Sequence, residues 1–274
     1  MRKVCAIDER LNLERATTII TKRSAQPFRL IAWNIRAGGG QRAAHIVDWL
    51  VAQRPTVVML SEFRGTPPSR QIAAGLHDHG YLYQRHTVDA AAPARNSLLI
   101  AARTPLRLLS LRHKPTEPGR WCAVRTATQP PLALACVHIP NQHTGRKPHF
   151  HQAVLQLMQR WRGGPMIIAG DTNSGRQGED EQTPVFNAAT SAWFDQIEQA
   201  GWRDAFRMAH GAKAEYTWYS PGHDNGFRLD QAFLSPDLAR CLRNVQHVWA
   251  PHPQHVDRRD GLSDHAALLV DLSL

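Results

Sequence analysis

Several acidic, amide and imidazole residues lie at the ends of apolar runs, where a strand would release them into a loop. Four early runs end in such residues: Asn34, Glu62, His138, and Asp171 with Asn173. Two later runs reverse the order, because Asp230 begins one of them and Asp264 and His265 precede the other. If the late strands run antiparallel to the early ones, all of these side chains gather at one edge of the sheets, where sites are often built.

Convergence of these groups predicts a site for a divalent cation. Four of them are carboxylates, which repel one another and lose favourable hydration when they are buried together. A bound cation offsets this cost, as do asparagine and histidine neighbours. Oxygen ligands without thiolates suit Mg²⁺ or Mn²⁺ better than Zn²⁺. Taken singly, Asn34 is equally compatible with a turn and Asp171 with an Asx-turn, so the prediction rests on the combination.

The elements that must position these residues alternate between strands and helices. Helical spacing of apolar residues predicts helices over 42–53, 149–161 and 191–201. Nearly continuous apolar runs, typical of strands covered on both faces, predict strands over 28–33, 56–61, 97–103, 131–137, 165–170, 229–235 and 266–272. Strands interleaved with helices indicate an α/β fold. We expect one domain over residues 27–274, preceded by an N-terminal arm over residues 1–26 that is either mobile or a short helix.

Composition narrows the class of protein. Hydrophobic residues make up 42% of the 274 residues, yet no run approaches the roughly 20 apolar residues that cross a bilayer. We therefore expect no membrane partner. The charged N-terminus has no secretory signal, and the four cysteines form no CxxC pair, which together predict free thiols and a cytoplasmic location. A net charge of +10 favours a polyanionic partner.

Six short segments, in this order, resemble the endonuclease/exonuclease/phosphatase superfamily: WNI (33–35), SE (61–62), HIPN (138–141), GDTN (170–173), RLD (228–230) and SDH (263–265). The segment YTWYSPGHDNGFRLDQAFLSP (216–236) is similar to the exodeoxyribonuclease III/apurinic endonuclease branch. The resemblance implies a four-layer α/β sandwich, with two mixed sheets packed face to face between helices and a site at the top of the sheets.

The chain departs from that branch at three positions. His138 stands where the branch usually has tyrosine, and is more like the deoxyribonuclease I and sphingomyelinase branches. Arg36 stands where some apurinic endonucleases carry an acidic metal-site residue, and Ser61 replaces a common glutamine. The first two departures bear on metal coordination and on abasic-site specialisation, and they leave phosphodiesterase chemistry intact.

The resemblance also implies roles for individual residues. Glu62 would be the principal metal ligand, beside Asn34 and with Asp264 as a direct or indirect ligand. Asp171 would activate the attacking water as a base or protonate the leaving group as an acid. Donors to the phosphate would be His265, held by Asp230, together with His138, Asn141 and Asn173.

Substrate binding is predicted for an aromatic loop and for basic loops. Trp218, Tyr219 and Phe227 would stack on a base or fill an abasic gap, with core packing as the alternative. Basic residues in predicted loops would contact phosphates or simply be solvated: Arg120, Arg146, Lys147, Arg176, Arg258 and Arg259.

These observations predict a monomeric, Mg²⁺- or Mn²⁺-dependent phosphodiesterase that cleaves nucleic acid, with duplex DNA as the expected partner. Apurinic endonuclease, 3′–5′ exonuclease and deoxyribonuclease-like cleavage all remain open. The alternative on the same scaffold is a lipid or inositol-phosphate phosphoesterase, which the charge disfavours and His138 favours. A non-catalytic nucleic-acid-binding relative is a third possibility, and it would be expected to lack part of the acid and histidine set.

Overall fold

A computed structural model of the protein describes residues 28–256 and 258–274. The arm expected over residues 1–26 lies outside the described residues. The strands are β1 (Phe28–Asn34), β2 (Val57–Phe63), β3 (Tyr83–His86), β4 (Ser97–Ala102), β5 (Leu106–Leu108), β6 (Trp121–Thr126), β7 (Ala133–His138), β8 (Met166–Asp171), β9 (Arg203–Asp204), β10 (Trp218–Tyr219), β11 (Gly226–Phe227), β12 (Asp230–Leu234), β13 (Leu242–Val248) and β14 (Ala267–Leu272). The helices are α1 (Ala43–Ala52), α2 (Pro67–Asp78), α3 (Lys147–Arg160), α4 (Ala188–Gln199), α5 (Ala205–His210) and α6 (Pro236–Ala239).

Twelve of the strands form two mixed sheets of six. The first sheet has the order β13-β14-β1-β2-β4-β3, and the second has the order β5-β6-β7-β8-β12-β9. In each sheet two early strands run parallel, β1 with β2 and β7 with β8. A late strand joins each pair in the antiparallel direction, β14 beside β1 and β12 beside β8. The two sheets therefore share one plan, which places the ends of the early strands and the starts of the late strands at the same edge.

Three apolar clusters explain why the sheets stack. The central cluster joins the inner faces of both sheets, with Leu30 and Met59 packing with Leu134 and Ile167. A second cluster packs α1 and α2 on the outer face of the first sheet. A third packs α3 and α4 on the outer face of the second sheet. Both central strand pairs are covered on both faces, as continuous apolar runs require. The predicted four-layer α/β sandwich is confirmed.

The boundaries differ from the predictions at several elements. Helix α1 agrees closely, whereas α3 begins two residues earlier than predicted and α4 begins three residues earlier, after an Asn187 cap. Helices α2, α5 and α6 and strands β3, β5, β6, β9, β10, β11 and β13 were not predicted. Two prolines open α2, and they suit the first helical turn because that turn needs no backbone donors. Among the described residues, no helix is both long and apolar enough to cross a membrane.

Candidate active site

The second sheet brings three of the predicted residues side by side. In the strand register, Asp171 of β8 lies opposite His138 of β7 on one side and Asp230 of β12 on the other. All three are at most 5% exposed. Gly170 makes the close approach possible: its φ is 143°, and a Cβ there would lie 2.1 Å from the carbonyl oxygen of Val137. The strand before Asp171 can therefore pass against β7 only with glycine at this position.

His265 completes this group from the start of the last strand. Its Nδ1 lies 2.9 Å from Asp230 Oδ2, so Nδ1 donates a hydrogen bond to the carboxylate, which orients the ring. Its Nε2 lies 3.9 Å from Asp171 Oδ2, and the Nε2 of His138 lies 3.6 Å from the same oxygen. Two imidazoles therefore face one buried carboxylate.

Burial and charge shift the protonation of these groups. Burial raises the pKa of Asp171 to about 6, helped by Asp230 and opposed by His265. For His265, burial lowers the pKa, but the charges of Asp230 and Asp171 outweigh it and raise the value to about 10. Burial, with the charges of Arg120 and His265, holds the pKa of His138 well below its usual range. At neutral pH the site therefore combines a protonated and a neutral imidazole around a carboxylate that can exchange protons.

The first sheet contributes an amide and two acids. The amide nitrogen of Asn34 donates to Asp171 Oδ2 at 3.0 Å, which ties the two sheets together at the site. Glu62 accepts from the backbone nitrogen of Ala37 at 2.6 Å. Glu62, Arg36 and Ala37 have φ values of 57°, 52° and 52°, in the left-handed region that residues other than glycine rarely adopt. Such conformations cluster at functional sites.

The segment Ser263-Asp264-His265 is fixed by hydrogen bonds to the end of β1. The hydroxyl of Ser263 donates to the carbonyl oxygen of Asn34 at 2.6 Å, and the indole of Trp33 donates to the carbonyl oxygen of His265 at 2.9 Å. Asp264 is half-buried, with its carboxylate 3.9 Å from the guanidinium of Arg36. Ser263 and His265 are thus bonded to the end of β1, whereas Asp264 lies beside Arg36.

Two groups of side chains in the site could hold a divalent cation. Ligand atoms of Asp171, Asp230 and His265 lie within 4.8 Å of one another, and the Oδ1 of Asp230 is buried without a hydrogen-bond partner among the described residues. The Asp230–His265 hydrogen bond, however, already engages two of these groups. Glu62 and Asp264 are less buried and offer oxygen ligands of the kind Mg²⁺ and Mn²⁺ prefer. Their predicted metal role remains a prediction.

The predicted substrate-binding residues differ in their exposure and in their distance from the buried carboxylates. Asn141 is exposed just beyond β7, and Asn173 donates from its backbone nitrogen to Asp171 Oδ1 at 2.9 Å. Trp218 is half-buried, with its ring 6.3 Å from that of His265. Phe227 is 7% exposed and packs edge-on against Phe186, an arrangement that fits core packing.

Arg176 lies outside this group of contacts. Its guanidinium forms ion pairs with Asp195 and Glu198 of α4 and lies over the ring of Phe194. Binding a substrate phosphate would require these ion pairs to open, so its predicted role has no support in its contacts.

An arginine-rich cavity beside the site was only partly foreseen. It has a volume of about 490 Å³ and is lined by Arg64, Arg95, Arg120, Arg146, Glu117 and Asn96 among others. Arg120 donates to the carbonyl oxygen of His138 at 3.2 Å, which places the cavity next to the buried carboxylate. Arg64 and Asn96 were not singled out, although Arg64 follows Glu62 by two residues and that spacing was a usable signal.

Two buried residues support the start of β12, and of these only Thr217 was missed. The hydroxyl of Thr217 accepts from the backbone nitrogens of Leu229 and Asp230, which fixes the start of β12. Arg228 is fully buried between Asp180 and Asp204, at 2.8 and 2.7 Å. Its surroundings explain it as a brace for this strand.

Comparison with known proteins agrees with this architecture. Residues 31–265 match the Endonuclease/Exonuclease/phosphatase family. The chain is 27% identical over 155 residues to "Uncharacterized protein YbhP" of Escherichia coli (strain K12), and equally to that of Shigella flexneri, covering 53% of this chain and 49% of each relative. The chain thus spans about half the length of the curated relatives it matches.

Solved structures share the fold. An AP endonuclease from Archaeoglobus fulgidus superposes with a TM-score of 0.74 at 17% identity. The 3′ phosphatase NExo from Neisseria, bound to a product DNA hairpin, gives 0.73 at 19% identity, and a 3′-5′ exonuclease from Neisseria meningitidis gives 0.71 at 19%. Each comparison covers 90% of this chain and 100% of the other. With its two six-stranded sheets and a family match from the first strand to His265, this chain belongs to the endonuclease/exonuclease/phosphatase family of hydrolytic enzymes.

Proposed function

We propose that the protein hydrolyses phosphodiester bonds in DNA with the help of Mg²⁺ or Mn²⁺. One observation carries this proposal: the two sheets close Asn34, His138 and His265 around the buried carboxylate of Asp171. This set combines a proton acceptor with hydrogen-bond donors, as displacement at a phosphate by water requires.

Asp171 is the general base in this proposal. With a pKa raised by burial to about 6, its carboxylate is ionised at neutral pH and still basic enough to accept a proton from water. Water then attacks phosphorus, and the bond to the leaving oxygen breaks. Asn34 and Asn173, which both donate to Asp171, orient its oxygens. In the alternative, Asp171 is the acid that protonates the leaving oxygen. This role requires the minority of molecules in which Asp171 is still protonated near neutral pH.

His265 and His138 stabilise the phosphate. His265, kept protonated by Asp230, donates to an oxygen that gains negative charge, and neutral His138 donates from the other side of Asp171. Glu62, with Asp264 and Asn34, would hold the cation. When bound, the cation supplies positive charge that polarises the phosphate and favours departure of the leaving oxygen.

DNA is the proposed substrate because of the surroundings of the site. Four arginines line the adjoining cavity against one glutamate, and the chain carries a net charge of +10, so the region suits a polyanion. The solved structures of similar fold include an AP endonuclease, a 3′-5′ exonuclease and a 3′ phosphatase with a DNA hairpin. Which of these reactions this chain performs, its monomeric state and its cytoplasmic location stay predictions.

A substrate panel tests the proposal. Abasic duplex, intact duplex with 3′ ends, single-stranded DNA, RNA and a sphingomyelin analogue are each incubated with Mg²⁺, Mn²⁺ or EDTA. We expect cleavage of at least one DNA substrate with either cation, none with EDTA, and a steep loss of binding as salt increases. Metal-dependent turnover of the sphingomyelin analogue without cleavage of DNA would replace this proposal with the lipid phosphoesterase alternative.

A further inference from the structure

A second cavity borders the candidate active site on the side of Asp264. We call it the rim pocket, and its principal lining residues are Arg36, Trp218, Tyr219, Trp249, Arg259 and Asp264. Its volume is about 470 Å³, within the range of roughly 300–1,000 Å³ that is usual for small-ligand sites. Trp218, which lines the pocket, forms an isolated β-bridge with His265. The pocket therefore lies next to His265, the proposed donor to the phosphate.

Flat surfaces dominate one wall of the rim pocket. The rings of Tyr219 and Trp249 lie 6.1 Å apart, tilted by 43°. The guanidinium of Arg259 lies 3.4 Å from the centre of the Tyr219 ring and 5.5 Å from that of Trp249. The guanidinium therefore covers one face of Tyr219. Because it is planar and weakly hydrated, its outer side replaces that face as a flat surface. Such a wall favours a flat guest that binds by stacking.

The rim pocket has no excess of positive charge, since two arginines and three aspartates line it. Arg259 pairs with Asp224 at 2.8 Å, and Arg36 lies 3.9 Å from both Asp260 and Asp264. The arginine-rich cavity, in contrast, has four arginines against Glu117. The arginine-rich cavity therefore favours binding of a phosphate, whereas the rim pocket favours binding of a neutral planar ring.

We infer that the rim pocket binds the nucleobase of a nucleotide adjoining the cleaved phosphate, through stacking on Trp249 and on the Arg259 guanidinium that Tyr219 supports. This inference rests on the proposed function, since it names how the same site holds its substrate. Tyr219 was already predicted from the sequence to stack on a base. The inference adds Trp249 and Arg259, and it excludes Phe227, whose ring is packed against Phe186. Stacking is tolerant of sequence, because every base has a flat face. The pocket would therefore distinguish a nucleotide that has a base from one that lacks it, and hardly distinguish among bases.

The test measures kcat/KM on oligonucleotides in which one nucleotide at a time, on either side of the cleaved phosphate, is replaced by a base-less tetrahydrofuran. At one adjoining position the wild type should lose about 10-fold when the base is removed. Trp249→Leu, which keeps an apolar side chain but removes the aromatic face, should bring that ratio close to 1. Trp249→Phe should restore part of it, a rescue that a merely structural role would not show.

Tyr83→Ala is the matched control. Tyr83 is an exposed aromatic residue paired with Ala102, at the end of the first sheet away from the site. Its substitution should leave the base-dependent ratio at the wild-type value. A second measurement uses 2-aminopurine in place of each adjoining base, with Asp171→Asn protein in EDTA so that no cleavage occurs. Fluorescence should be quenched at the same position, and Trp249→Leu should reverse that quenching.

The outcomes distinguish failure of the base-binding inference from failure of the proposed function. If the wild type cleaves DNA but the ratio in Trp249→Leu equals that of the wild type, the rim pocket does not bind a base and this inference is wrong. If the wild type cleaves no oligonucleotide under any condition, the proposed function itself fails. A ratio that collapses in Trp249→Leu but not in Tyr83→Ala supports the inference.

Discussion

The two sheets share one plan of strands but deliver acids into different surroundings. Asp171 and Asp230, from the second sheet, are 2% and 0% exposed and are held by hydrogen bonds. Glu62 and Asp264, from the first sheet, are only half-buried. We call Glu62 and Asp264, with Asn34, the open half of the site. Because Mg²⁺ usually keeps several of its waters, this open half suits the cation. Asp171 and Asp230, with His265, form the dry half. It suits proton transfer, because burial raises the pKa of Asp171 to about 6 while the charges of Asp230 and Asp171 keep His265 protonated.

The largest expected effect comes from removing the proton acceptor of the dry half. Asp171→Asn keeps the size and the hydrogen bonds from Asn34 but cannot accept a proton, so kcat should fall by about 1,000-fold or more. Mg²⁺ affinity, measured by calorimetry, should change little. Asp78→Asn, an exposed acid at the end of α2, is the control. Retention of wild-type turnover by Asp171→Asn would remove this residue from the mechanism.

The open half should show the opposite pattern. Glu62→Gln removes a charged oxygen ligand, so the apparent affinity for Mg²⁺ should fall by about 100-fold, while kcat at saturating Mn²⁺ should recover in part. Titration of activity against metal concentration measures both quantities. The comparison control is Glu179→Gln, which alters a carboxylate that is 48% exposed beside Arg207. An unchanged metal dependence in Glu62→Gln would place the cation elsewhere, with the Asp171, Asp230 and His265 cluster as the next candidate.

A third prediction concerns the stability of the dry half in acid. His151 of α3 stacks on Trp193 at 4.0 Å and contacts the hydroxyl of Ser174, which supports the loop after Asp171. Burial, with the charge of Lys147, lowers the pKa of His151 to about 3. The folded protein therefore keeps this ring neutral while the unfolded chain binds a proton below its ordinary value of about 6.5. Stability is lost as pH falls from about 6.5 toward 3.

Urea unfolding at pH 7 and pH 5 measures this loss. The contribution of His151 to the difference should be about 2 kcal/mol, and His151→Gln should lose less stability between the two pH values by that amount, whatever its stability at pH 7. His77→Gln, which changes an exposed histidine of α2, should behave as the wild type does. Equal pH dependence in His151→Gln and the wild type would show that this ring is not kept neutral by the fold.

Seven of the fourteen described strands were predicted from the sequence, with the polar residues at their ends, because both signals are local. An apolar run that ends in Glu62 or Asp171 can be recognised without knowing its neighbours. The convergence of Asp230 on the same edge as Asp171 could only be stated conditionally, since it depends on the direction of a distant strand. That condition holds in the structure. Fold class was therefore accessible from the alternation of periodicities.

Side-chain surroundings were not accessible in the same way. Phe227 and Trp218 belong to paired two-residue strands, yet one is buried and the other half-buried, which depends on Phe186 from another segment. Arg176 looked available for phosphate until α4 supplied two carboxylates. Helix α2 was hidden by its two prolines and by few apolar residues. Each of these features depends on contacts between segments that are far apart in the chain.

Arg36 offers the smallest and most specific test of the open half, and it is also a position where the sequence departs from the related branch. Its side chain is 52% exposed, and its guanidinium lies 3.9 Å from both Asp260 and Asp264. A fixed positive charge there opposes a cation at Asp264, but water screens the interaction, so its effect should be at most about 1 kcal/mol. Arg36→Gln should therefore bind Mg²⁺ about two- to fivefold more tightly in low salt, without substrate, and the gain should shrink as salt increases. Weaker binding by this variant would mean that Asp264 does not face the cation, and the open half would then rest on Glu62 and Asn34 alone.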